Sequence, residues 1–477
     1  MIKVSSETDK VCVAKVREAG QGHVFDSWDR ATNEQQRALI SQLTEIDFQL
    51  LKRLVQQHIH GADESHEERV LRPPPLTRLP QEADAHEERQ LCHTLGDYAL
   101  RNGEVALVTA AGASDATPDS EPTGMLPVGP VTGKSLFQLH AENIRAINRR
   151  YKTSLRWYIF CHAYHLDLVV AHFRENGYFG LNCSDLYFIP ERLLPVVDRR
   201  GRLLLAEPDR IGMSTVGQGG ILDTLLSDEH LGAMEKAGVR HVFFFQADNP
   251  LARIASPVFV GLHIKSQSDV TSKAIRRTDS DDDQAVFCKF SNTIAVVRPA
   301  EMTEEERCSR DESGELAFGA AQIGIHILTV DFLRRLRDAD TSPPFHAVPH
   351  ATTRIDRRGR LVRPSEPNSI RFQSFLFDAL QTARSITIVE VDARDEYSPV
   401  RNASGDRSPL TAQRDLSHLY ARWLKEACGS TGDGSNGELE PAVEISPLFA
   451  MDVEELKEKI DQPLAPCGGE ILLGGRS

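Results

Sequence analysis

The sequence predicts a doubly wound α/β protein, and three observations carry that expectation. Short apolar runs recur at 157–160 (WYIF), 186–189 (LYFI), 242–245 (VFFF) and 386–391 (ITIVEV), without the polar alternation of a half-exposed strand. Strands buried on both faces of a parallel sheet read this way. Helical patterns around 135–150, 164–175, 220–237 and 370–384 lie between them, as in a sheet covered on both sides. Finally, HVFFFQADN (241–249) ends an apolar strand on Asp248 and Asn249, and such sheets bind ligands at the carboxyl ends of their strands.

In chain order, residues 33–58 space Leu39, Leu43, Ile46 and Leu50 three or four apart with charge between, predicting one amphipathic helix. A charged, Pro-rich linker follows at 61–80, then a helical stretch over 81–101 that leads into the strand EVALVTAA. After the VFFF strand come a turn and a helix begun by Pro257. The acidic run DSDDDQ, 279–284, has the composition of a solvated hairpin tip. Near the carboxyl end, STGDGSNGELEP is a polar linker, and VEISPLFAMDVEELKEKI after it predicts a strand and a short helix. These breaks suggest an amino-terminal helical segment over 1–80, a central domain over 81–395, and a carboxyl-terminal region with a small appended unit over 396–477.

At 477 residues the chain exceeds the size of a single core. A net charge of −14 disfavours nucleic acid and anionic membrane as partners. None of the eight cysteines forms a CxxC pair, which fits a reducing compartment. MIKVSSETDK has no apolar core of a leader, and no run approaches the roughly 20 residues that span a bilayer, so a soluble cytoplasmic protein is expected. CHAYH, 161–165, has Cys and His at short spacing, but without a second pair nearby it reads as packing rather than zinc. No GxSxG elbow supports a hydrolase triad. GQGG, 217–220, opens a helix and could present backbone N–H groups to a phosphate or a base. On the residues alone, Asp248 either holds a divalent ion beside a phosphate or caps the following turn.

Several segments together resemble the UDP-sugar pyrophosphorylases, in particular the UDP-N-acetylglucosamine pyrophosphorylase branch and its bacterial uridylyltransferase relatives. The markers are KSLFQLHAENI, YFGLNCSDLYF, GQGGIL, FFFQADNPLARIASPVFVGLHI, IGIHILTVDFL, EPNSIRFQSFLFDAL, EYSPVRNASG and VEISPLFA, in order from 134 to 450. The resemblance implies a mixed sheet of the nucleotide-sugar transferase, Rossmann-like type. It also implies transfer of UMP from UTP to a sugar 1-phosphate such as N-acetylglucosamine 1-phosphate, with pyrophosphate released and Mg2+ as cofactor. Asp248 matches the family's metal-binding aspartate, and Gly217 a glycine against the nucleotide.

The nucleotide loop departs from the family pattern. Where the family has GGxGTRLG followed by Pro-Lys-Gly, residues 110–125 read AAGASDATPDSEPTGM. The resemblance assigns nucleotide contacts to Ala110, Ala111, Gly112 and Thr123, with Ala116 in the arginine's place and Thr123 in the lysine's. Glu191 stands where the family reads uracil with a glutamine, and the sugar contacts fall on Gln218, Arg298 and Gln322. Arg253 and Arg401 each replace a family lysine and are the catalytic candidates, with Lys134 and Arg354 as further cations. Because transfer of this kind rests on charge neutralisation, an alternative stands beside the enzyme: an inactive relative that binds a sugar phosphate or regulates a paralogue. Assembly with itself or with another chain is left open.

Overall fold

The computed structural model describes residues 6–61, 70–80, 85–111, 120–291, 293–339, 343–356, 359–428, 441–460 and 470–474. They fall into two compact units. The larger comprises Val70–Pro190, Thr224–Thr341 and Ala379–Ser477; the smaller comprises Met1–Arg69, Glu191–Asp223 and Ser342–Asp378.

The larger unit is built on a mixed sheet whose principal strands are β1 (Val105–Ala110), β2 (Trp157–Cys161), β3 (Leu186–Pro190), β4 (His241–Gln246), β5 (Val270–Arg276), β6 (Ala320–Thr329) and β7 (Ile386–Val391). From the edge strand Thr77–Arg78 the order is β7, β5, β6, β4, β1, β2, β3. All neighbours are parallel except at β6, which runs antiparallel to both β5 and β4. The expected strands are therefore present, and their unbroken apolar runs have the predicted cause. Val105, Leu107, Phe243 and Phe245 enter one core, while Ala106, Val108, Val242 and Phe244 on the other face are equally buried.

Helices that contribute to that first core include α1 (His86–Arg101), α2 (Leu136–Tyr151) and α3 (Pro257–Ser266), and the expected helix at Leu166–Glu175 adds Val169 and Phe173. α1 and α3 cross at backbone contact. A Cβ on Gly261 would sit 1.6 Å from the Cys92 carbonyl oxygen, and one on Gly96 would sit 1.9 Å from that of Pro257. After β7 comes the long helix α4 (Pro409–Ala427). Its Leu416, Tyr420 and Trp423 pack with Val443 and Ile445 of the strand Ala442–Ile445 and with Leu136 and Leu139 of α2. The predicted carboxyl-terminal strand and short helix are thus present, the helix over Val453–Lys459.

In the smaller unit, Val16, Leu39, Leu43, Leu51 and Leu54 of the amino-terminal helices share a core with Val197, Ile211, Val216 and Phe372. Four predictions need correction. Residues 33–58 form two helices, Asn33–Glu45 and Phe48–Val55, because Asp47 caps the second by accepting from the N–H groups of Gln49 and Leu50. The helix expected over 220–237 divides into Gln218–Leu225 and Leu231–Lys236. The helix expected over 370–384 is instead the strand Ser369–Ser374, paired with Phe345–His350 and Val197–Asp198, followed by a 3-10 turn at Leu376–Thr382. The acidic run lies in the loop between β5 and Val286–Phe290; these strands each pair with β6 rather than with one another. Among the described residues, no helix is long and apolar enough to cross a membrane.

Candidate functional site

β1 and β4 run side by side, with Ala110 opposite Gln246. One step further, the Ala247 N–H donates to the Ala110 carbonyl at 3.0 Å, and the Ala111 N–H to the Phe160 carbonyl at 2.8 Å. Ala110 and Ala111 are thereby brought beside the segment that carries Asp248, at the carboxyl end of four parallel strands.

The Asp248 backbone is fixed from several sides. His140 on α2, fully buried, donates from Nε2 to the Ala247 carbonyl at 3.0 Å, and burial pushes its pKa down to about 4. The Val400 N–H donates to the Asp248 carbonyl at 2.8 Å. Next in the chain, Asn249 accepts from the Ser398 N–H at 3.0 Å and donates to the Glu396 carbonyl at 2.7 Å. The Glu396 carboxylate in turn holds the fully enclosed Lys273 at 2.6 Å. Burial lowers the pKa of Lys273, and Glu396 opposes that shift. The chain around Asp248 is therefore pinned by α2 and by the segment that follows β7.

The carboxylate itself is only 17% exposed. Burial raises its pKa, and Arg401 draws it back down. Arg401 Nε lies 3.6 Å from Oδ2, an ion pair too long for a good hydrogen bond. Arg401 is 41% exposed, so its donors face both this carboxylate and solvent. A desolvated carboxylate beside a partly exposed guanidinium can accept a cation and an anion together.

The other predicted residues divide between the two units. Arg253 is exposed, with its guanidinium 5.9 Å from the Trp423 ring. Arg298 is paired with Glu301. The Gln322 side chain accepts from the Gly324 N–H at 2.8 Å, and its carbonyl accepts from Gln284 at 2.7 Å. Thr123 opens a 3-10 turn at Thr123–Met125. Gly112 and Ala116 lie outside the described residues. Lys134 is buried and bound to Glu142 at 2.9 Å, with Glu444 at 3.9 Å. Glu444 is also taken up by the N–H groups of Val131 and Thr132. In the smaller unit, Glu191 and Gly217 flank the same short ladder, where the Val216 N–H donates to the Arg192 carbonyl at 3.0 Å. Gly217 has φ +88°, a left-handed conformation that suits glycine, and Gln218 begins the following helix. Arg354 lines a cavity of about 190 Å3 with Asp198, Arg202 and His23. In CHAYH, His162 is enclosed and accepts from the Tyr164 N–H at 3.2 Å.

Sequence reasoning did not find His140 or the Lys273–Glu396 pair as parts of this site. His140 and Glu396 fall within the quoted marker segments and Lys273 outside them, and nothing local marks their roles.

Residues 64–463 match the sequence profile of a family described as UTP–glucose-1-phosphate uridylyltransferase. Among curated relatives, the chain is 29% identical to the UDP-N-acetylhexosamine pyrophosphorylase-like protein 1 of Xenopus tropicalis, covering 95% of this chain and 94% of that protein. It is 28% identical to the UDP-N-acetylglucosamine pyrophosphorylase of Saccharomyces cerevisiae, covering 87% and 91%. Among solved structures, the uridine diphosphate N-acetylglucosamine pyrophosphorylase of Trypanosoma brucei superposes with a TM-score of 0.81 at 22% identity, covering 99% of both chains. That likeness establishes the mixed α/β fold.

Proposed function

Since the chain belongs to the UTP–glucose-1-phosphate uridylyltransferase family, we propose that it transfers UMP from UTP to a sugar 1-phosphate and releases pyrophosphate. N-acetylglucosamine 1-phosphate is the favoured acceptor, from the names of the relatives. The observation that carries this reading is Asp248, desolvated at the mouth of the parallel strands with Arg401 at 3.6 Å.

Magnesium fits this position. Among the described residues no group of three or more His, Cys, Asp or Glu is gathered for a metal, but magnesium needs only one or two carboxylates when phosphate oxygens and water complete its shell. Asp248 would hold it, and the ion would offset charge building on the phosphates. Arg401 would bind and orient the phosphate, and the pinned backbone from Ala247 to Asn249 holds Asp248 in place. All described cysteines are free, which fits a reducing, cytoplasmic setting.

One set of observations favours a second reading, in which the chain binds a sugar phosphate without turning it over. Ala116 and Thr123 stand where the family carries Arg and Lys, Lys134 is consumed in a buried network, and Arg253 lies over Trp423. Pyrophosphate release from UTP, magnesium and N-acetylglucosamine 1-phosphate separates the two. Turnover that disappears in Asp248→Ala supports the transferase. Binding of the sugar phosphate with no pyrophosphate released supports the silent relative.

A further inference from the structure

Tyr397 lies in the segment that clamps Asp248. Its own N–H donates to the Ala393 carbonyl at 2.9 Å, and the next N–H, of Ser398, is fixed on Asn249 at 3.0 Å. The ring is therefore held by backbone on both sides. Its hydroxyl is enclosed and has no hydrogen-bond partner. The charges acting on that hydroxyl are those of Arg401, Asp248, Arg407 and Asp282, and burial raises its pKa, so it stays a neutral donor. Arg407 is already paired with Asp282 at 3.2 Å, and Asp248 with Arg401.

Buried hydroxyls without partners are uncommon, because they lose water and gain nothing in return. Such a group fits a position where the partner arrives from outside. The surroundings say what kind of partner: a hydroxyl donor on the segment that clamps Asp248 and Asn249 and carries the partly exposed Arg401 matches an anionic oxygen better than a neutral one. We propose that Tyr397 is a ligand-binding residue whose hydroxyl donates to a phosphate oxygen drawn in by Arg401 beside Asp248. The inference rests on reading this crevice as a phosphate site. It adds a contact on the ligand made by an uncharged side chain.

The substitution Tyr397→Phe removes only the oxygen. Without ligand, the variant should melt at or above the temperature of the unaltered protein, since an unpaired buried group is lost. With ligand, calorimetric titration should show affinity for N-acetylglucosamine 1-phosphate, UTP with magnesium, or inorganic phosphate weakened roughly tenfold or more. Any binding of unphosphorylated N-acetylglucosamine should be unchanged. If Tyr397→Phe binds phosphates as tightly as the unaltered protein while Arg401→Ala does not, the proposal fails and the phosphate site stands. A variant that melts several degrees lower before ligand is added assigns the hydroxyl to the fold and overturns the proposal. Tyr397-dependent phosphate binding without pyrophosphate release leaves the proposal intact and removes the transferase reading. Absence of binding to all three phosphates overturns both.

Discussion

Charge on single residues decides whether this scaffold can work. Four cations were candidates to replace the missing loop pair, and the structure treats them differently. Lys134 is committed to Glu142 inside the protein, Arg253 is set over an aromatic ring, and Arg354 belongs to a cavity of the smaller unit. Arg401 alone among the four is paired with Asp248. A single guanidinium is a thin supply for a triphosphate, since one transition-state arginine can be worth about 10³ to 10⁵ in rate. Restoring the pair by Ala116→Arg with Thr123→Lys should therefore raise pyrophosphate release by roughly tenfold or more. A double variant no faster than the parent would place the deficiency elsewhere in the site. At this scale the sequence was informative about Asp248, because the aspartate ends an apolar run and position alone marks it. It was silent about His140 and Tyr397, whose partners come from 107 residues away for the histidine and whose significance for the tyrosine is an unmet hydrogen bond.

Among the elements, the strands of the sheet were legible because each is a compact apolar run that needs no partner to be recognised. Ser369–Ser374 was not. Phe372, Phe375, Leu376 and Phe377 crowd apolar residues at helix-like spacing, while the strand that pairs with it, FHAVPH, interrupts its apolar residues with two histidines and a proline and does not announce a sheet. Pairing across the smaller unit decided the conformation, as tertiary context does for weakly patterned segments. Helices show the converse dependence on a detail too small to read. The crossing of α1 and α3 requires glycine, since a Cβ at 261 would overlap the Cys92 carbonyl. Gly261→Ala should push the two helices apart and cost about 1–3 kcal/mol by overpacking. Urea denaturation checks it, and an unchanged midpoint would show that the crossing relaxes freely.

For the whole molecule, pH is the most direct probe. His140, His162, His263 and His326 are enclosed, and burial lowers their pKa to about 4, or about 3 for His263. In the unfolded chain each titrates near 6.5. Between those values the unfolded state binds protons that the folded state refuses, so stability rises with pH there. It is complete above about pH 6.5 and is lost as pH falls toward 4, by about 1–2 kcal/mol per histidine at pH 5. The melting temperature should therefore drop between pH 7 and pH 5, before most carboxylates titrate. A flat profile over that interval would mean that these imidazoles accept protons in the folded protein.

The sheet also dictates when this protein can be finished. β7 pairs with both β5 and the edge strand, with Thr77 set opposite Val389. On the ribosome, residue 77 emerges long before its neighbour has been synthesised, and β5, once β6 has paired with it, waits with its other side open until residues 386–391 follow. Contacts this remote in sequence are slow to form, and an unpaired strand edge invites association with other chains. Nascent chains stopped between 329 and 386 would thus carry a sheet with an open edge at β5, a natural client for a chaperone until the last strand closes it.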